Sequence, residues 1–188
     1  WHYRASTAKN WVIAMLKQVM TVAILAIATQ ARADGELTSI LSKPDKAKLA
    51  SFDTNKAEAL KEARAHGEAG DVKILDAALA GKPLSVAGKF NATGKWSCRT
   101  LKLGGGLPLT VYGKFKCSIS DDGAGWFLKK LSGSQRTQGR FYTESNTRLI
   151  YVGAGSVNDD KPRKYGDDPN ENQVAVVIGG TGVLGGAL

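Results

Sequence analysis

The chain has 188 residues, with 26 basic and 17 acidic side chains, a formal charge of +9, and only two cysteines and two histidines. Zinc needs three or four nitrogen, sulfur or oxygen ligands. Because His2 precedes the first methionine, only His66 is left for such a site or for histidine-relay catalysis. The basic side chains are spread along the chain, and no helix carries a Lys/Arg stripe, which argues against a nucleic-acid partner.

Residues 1–14, WHYRASTAKNWVIA, precede Met15, lack leader character and are set aside as upstream or non-native sequence. Residues 15–33 read as a signal peptide. Lys17 supplies the positive end, Val19 to Ala28 the apolar run, and Ala31-Arg32-Ala33 the small residues at a cleavage site after Ala33. The run is shorter and more interrupted than the roughly 20 apolar residues of a spanning helix, so no membrane anchor is expected after cleavage. The expected location is periplasmic or secreted. Removing Arg4, Lys9, Lys17 and Arg32 with the leader leaves 22 basic against 17 acidic side chains, a net of +5.

The segment from Asp34 to Leu188 is long enough for one domain. Over residues 34–82 the pattern predicts a helical hairpin. Ser42 caps a first helix, with Pro44 and Asp45 in its opening turn; Leu49, Phe52, Ala59, Leu60 and Ala63 recur at helical spacing, and Gly67 closes it in a positive-φ conformation. Asp71 caps a second, shorter helix through Leu79, ended by Gly81. From residue 83 to 188 the period shifts toward two. Strands are expected at Val86–Phe90, Lys95–Leu103, Leu109–Ile119, Gly125–Leu131, Gln138–Thr143, Thr147–Val157 and Asn172–Ile178. Turn residues separate them, so the fold class is α+β, the helices packed on an antiparallel, strongly curled sheet or small barrel.

Cys98 and Cys117, in an exported chain, are expected to form a disulfide. The runs around them flank Gly104 to Pro108. Centred on that turn, a hairpin places Cys98 opposite Cys117, Trp96 opposite Ile119 and Thr100 opposite Phe115. Alternation puts Trp96, Cys98, Val111, Phe115, Cys117 and Ile119 on a buried face, and Arg99, Lys114 and Lys116 on the other. A redox role for the pair is disfavoured because it lacks Cys-x-x-Cys spacing.

Several runs are specific: SCRTLKLGG with Cys98, LPLTVYGKFKCSI with Cys117, LKKLSGSQRTQGRFY over Leu128 to Tyr142, RLIYVGAGSV over Arg148 to Val157, and KYGDDPNENQVAVV over Lys164 to Val177. Through them the chain resembles the bacterial domain of unknown function numbered 4893, a family of exported proteins found largely in alphaproteobacteria. The resemblance covers nearly the whole segment after the leader and implies no activity, substrate or catalytic residue. It also implies a missing end, because such proteins continue into an aromatic-Glu-Ser pattern and a closing strand.

The polar constellations give little chemistry. Gly179-Gly180-Thr181-Gly182-Val183-Leu184-Gly185 imitates a dinucleotide-binding loop, but without a following helix and acidic residue it reads as a glycine-rich hairpin turn, and no cofactor is expected. Asp167-Asp168-Pro169-Asn170-Glu171 lacks the spacing and central glycine of a calcium loop; a solvated turn is expected, and no metal. Ser134-Gln135-Arg136-Thr137-Gln138 is the polar cluster best suited to a carboxylate or sugar, with Ser134, Gln135 and Arg136 as candidate contacts and Arg99 and Lys102 as candidate contributors across the sheet; satisfaction of backbone groups at a strand end is the preferred account. The expected role is non-enzymatic binding of a small apolar or anionic ligand or an envelope component. The alternatives are a structural or interaction module, and an envelope hydrolase using carboxylates such as Asp121, Asp122 or Glu144.

Overall fold

A computed structural model describes residues 37–86, 90–158, 160–180 and 183–187; for 179, 180 and 183–187 only the backbone path is described. Residues 1–14, the leader-like segment 15–33 and its Ala33 cleavage site lie outside the described residues, as does the middle of the strand expected at Val86–Phe90. Residues 86 and 90 themselves lie in irregular chain.

After Ser42 the expected first helix is two: α1 (Lys43–Ala50) and α2 (Phe52–His66), broken at Ser51. The hydroxyl of Ser51 turns back to accept from the Asn55 amide and to donate to the carbonyls of Ala47 and Lys48, the local competition that bends helices at serine. Ser42 caps α1 as expected, its Oγ accepting from the Asp45 N–H. α3 spans Ala69–Leu79 with Glu68, not Asp71, at its N-cap. Gly67 has φ −76°, so it is not the left-handed cap that was expected. A Cβ there would collide with the Ala63 carbonyl and press on Val72 and Leu109; close approach is what requires glycine. Ala63 of α2 and Leu75 of α3 share one buried cluster with Leu109, and Leu60, Val72, Leu101, Leu103 and Val111 pack around it.

The sheet is a seven-stranded antiparallel meander in chain order, curled into an open half-barrel: β1 Gly94–Gly104, β2 Leu107–Asp121, β3 Trp126–Lys130, β4 Gln135–Thr143, β5 Arg148–Val157, β6 Asn172–Gly180 and β7 Val183–Ala187. β7 was not anticipated. It pairs with β6 through the glycine-rich run, so that run links strand to strand rather than strand to helix.

The first hairpin forms in a different register from the expected one. Cys98 pairs with Phe115, Trp96 with Cys117 and Gly94 with Ile119, a slip of two residues. The turn displaces the Gly104–Leu107 pair by four residues, and one-residue irregularities between Leu103 and Gly104 and between Arg99 and Leu101 take back two of them. Gly105 and Gly106, at φ +76° and +108°, make a two-residue connection of the kind that matches strand twist, so Pro108 lies within β2. The slip preserves parity, and Cys98 and Cys117 remain on one face as diagonal neighbours. They are joined by a disulfide, with Cα atoms 6.0 Å apart. Farther along, Thr100 stands opposite both Tyr112 and Gly113, a bulge that puts Val111 out of step with Phe115. Val111 therefore joins the cluster beneath α2 and α3 rather than the face of Phe115, Cys117 and Ile119.

β5 and β6 bury both of their faces. On the first face Leu149, Tyr151, Ala175 and Val177 form a cluster against which Val86, Trp126, Leu128 and Phe141 pack. On the second, Ile150, Val152, Ala154, Val174 and Val176 are buried, and α1 lies against β6. This double burial explains the unbroken apolar runs of these two strands.

Candidate functional site

Most of the polar segment 134–138 takes part in the sheet's own hydrogen bonding. Gln135 to Gln138 lie in β4 itself. The Ser134 carbonyl accepts from the Asn158 amide at 2.6 Å, and Gln138 Nε2 donates to the Arg163 carbonyl at 3.0 Å. Thr137 Oγ1 contacts the Tyr151 hydroxyl at 2.5 Å and donates to Gln173 Oε1 at 2.6 Å. Tyr151 is buried there, which pushes its hydroxyl up to about 12 despite the Thr137 bond. Arg136 keeps a buried Nε without a partner among the described residues. Arg99 and Lys102 do not join this group. They lie on β1, with β2 and β3 between them and β4, and three positions apart on a strand they face opposite ways.

The carboxylates considered for hydrolysis do not converge. Asp122 forms a two-pronged pair with Arg140, whose guanidinium holds its carboxyl down to about 2. Glu144 pairs with Arg148. Asp121 is separate, accepting from the Gly123 amide at 2.9 Å. The stretch from Asp167 to Glu171 is also internally satisfied. Asp168 and Glu171 pair with Arg163, and Asp167 accepts from the Lys164 amide. Among the described residues no group of three or more His, Cys, Asp or Glu side chains is arranged to hold a metal.

An open cleft of about 420 Å³ lies on the first face of the sheet, lined chiefly by Phe90, Asn91, Asp121, Trp126, Phe141 and Thr143. Local sequence builds it. The Asp121 and Asp122 side chains accept from the amides of Gly123 and Ala124, turning the chain tightly between β2 and β3. The first pair of the next ladder is Asp121 with Trp126, so carboxylate and indole stand side by side on one face. Phe90 comes from the irregular segment after α3 and meets Trp126 edge-on, ring centroids 5.3 Å apart at 79°. Phe141 continues the wall, 5.7 Å from the Tyr151 ring. The result is an aromatic floor with the Asn91 amide, the hydroxyls of Thr93 and Thr143 and the Asp121 carboxylate at its edges, and no cation among the described lining residues. A second cleft of about 380 Å³, lined by Asp160, Lys161, Pro162, Arg163 and Asp167, carries both signs of charge and no aromatic ring.

Of the first cleft, sequence reasoning singled out only Asp121, and for another chemistry. Phe90-Asn91, Trp126 and Phe141 are far apart in the chain, and no spacing pattern in the sequence links them.

A family model described as Domain of unknown function (DUF4893) matches residues 37–179. No curated protein and no solved structure matches the chain.

Proposed function

Because this chain belongs to the DUF4893 family, which carries no assigned chemistry, we propose from its residues that it is a non-enzymatic binding domain. Its ligand is a small neutral molecule with an apolar face and a hydroxylated edge, of which a sugar ring is the simplest example. The observation that carries this is the pairing of the Phe90–Trp126 aromatic floor with Asn91, Asp121 and Thr143 at the rim of an open cleft. Flat aromatic surface gives a ring apolar contact area, and a few placed polar groups orient it. A small anionic ligand is the less favoured reading, since the charged group among the described lining residues is the Asp121 carboxylate. Hydrolysis is disfavoured on the same geometry, because Asp122 and Glu144 are each held by an arginine away from Asp121.

The same proposal places the domain outside the cytoplasm. The leader-like residues 15–33 and the Cys98–Cys117 bond support that location, since such bonds persist in oxidising compartments. Among the described residues no helix is long and apolar enough to cross a membrane.

The test is a thermal-shift and tryptophan-fluorescence screen with neutral glycan fragments, run on the wild type and on Trp126→Ala. Binding should raise the melting temperature and perturb emission in the wild type, with both responses lost in the variant. Melting that no fragment shifts, or that shifts equally in both proteins, would remove the cleft as a site.

A further inference from the structure

The strand register gathers positive charge that is scattered in the sequence. Arg99 stands directly opposite Lys114, Ser97 opposite Lys116, and Lys95 opposite Ser118, which in turn stands opposite Lys129. Side chains directly opposite one another share a face, so Lys95, Arg99, Lys114, Lys116 and Lys129 project from one side of β1, β2 and β3. All five are exposed. They span two strand spacings and four residues of rise, roughly 10 by 13 Å. No Asp or Glu occupies positions 95, 97, 99, 114, 116, 118, 127 or 129, and none of the five forms an ion pair among the described residues.

Protection of a sheet edge accounts for part of this, because charged side chains on an edge strand discourage unwanted pairing. It covers Lys95 and Arg99 on β1. It does not cover Lys114, Lys116 and Lys129, which sit on strands flanked on both sides. The Arg99–Lys114 pair also sets like charges directly across the ladder, an arrangement that destabilises a sheet. Alternation continues past the end of β3 to Leu131, 51% exposed beside the cations, its amide donating to the Lys116 carbonyl. An unneutralised, shallow array of cations with an exposed aliphatic side chain complements a plane of phosphate headgroups with hydrocarbon beneath.

We infer that this face of β1–β3 docks the domain on an anionic phospholipid bilayer. The cations attract the headgroups, and Leu131 reaches into the interfacial layer. Docking leaves the aromatic cleft free, because the cleft opens on the opposite face of the sheet.

The experiment is co-sedimentation of the full chain with phosphatidylcholine vesicles and with vesicles containing phosphatidylglycerol. It compares the wild type, K114Q/K116Q/K129Q, and the charge-matched K46Q/K61Q/K73Q on the helices. The apolar run Val19–Ala28 is common to all three, so differences among them report the sheet face. Each cation near such a surface contributes about fivefold. The sheet triple variant should therefore lose on the order of 100-fold in partitioning to anionic vesicles while the helix variant loses far less. Binding should also fall steeply with salt. Three results would each overturn the inference: equal losses in the two triple variants, equal wild-type binding to neutral and anionic vesicles, or wild-type capture by soluble polyphosphate without capture by anionic vesicles. Circular dichroism of the variants checks folding, and Lys129→Gln alone, expected to weaken binding severalfold, serves if the triple variant unfolds.

Discussion

Asp45 is only 2% exposed, yet its carboxyl lies below the ordinary carboxylate range. Burial alone raises it. Hydrogen bonds from Ser42 Oγ at 2.6 Å and Tyr165 Oη at 2.6 Å, with the Lys48 ammonium at 3.0 Å, outweigh that penalty. Tyr165 also accepts from the Ser42 amide at 2.9 Å, so one phenol ties the start of α1 to the loop between β5 and β6. The folded-state value is depressed, so the contribution to stability is complete above the unfolded value near 3.8 and is lost as pH falls through the folded value. Chemical denaturation from pH 6 to pH 2 should show Asp45→Asn less stable by about 2 kcal/mol at pH 6, with the gap closing toward pH 2. A gap of constant size would mean the charge is immaterial. Gly153 is a second residue whose identity is dictated. It faces Gly139 across the β4–β5 ladder, and the Tyr151 ring lies over both; a Cβ on Gly153 would meet the Gln138 carbonyl and the Tyr151 hydroxyl. Gly153→Ala should cost about 3 kcal/mol in urea melts, and a cost near zero would show that the ring is free to move aside.

The hairpin of β1 and β2 shows what was legible in the amino acids and what was not. Period-two alternation found both strands and their buried cysteine face, because side-chain direction follows from the pleat alone. It could not find the register, which depended on whether the chain reverses at Gly105-Gly106 or over the longer stretch to Pro108. That choice is made by three consecutive positive φ values, at Gly104, Gly105 and Gly106, invisible in an apolarity pattern. The bulge at Tyr112-Gly113 was hidden for the same reason, and with it the transfer of Val111 to the cluster under the helices. The helices were legible as apolar periodicity, while the break at Ser51 came from side-chain bonds to local carbonyls and was not. The aromatic cleft escaped detection because it exists only once Phe90, Trp126 and Phe141 are brought together by the fold, whereas alternation alone had put Arg99, Lys114 and Lys116 on one face and lacked only Lys95 and Lys129, which the strand register adds. The disulfide closes a loop of 19 residues, for which unfolded-chain entropy suggests about 3 kcal/mol. Cys98→Ala/Cys117→Ala should lose about that much in denaturant midpoint multiplied by slope. A loss below about 1 kcal/mol would indicate that the ladder holds these strands without sulfur.

At the scale of the molecule, the second face of one sheet carries both a helix-covered apolar region around Leu101, Leu109, Val152 and Val176 and a bare basic region around Lys116, while the first face carries the aromatic cleft. Two surfaces of different chemistry thus lie back to back across a single layer of backbone. The strands also succeed one another in space as they do in the chain, with no crossover anywhere in the described sheet. Each ladder can therefore close as soon as its second strand has emerged, so loop-closure entropy at each step stays small. A polypeptide threaded N-terminus first through a narrow channel can lay down this architecture rib by rib, without waiting for a distant partner. The most water-averse ribs, Arg148–Val157 and Asn172–Gly180, arrive late, when a platform to receive them already stands.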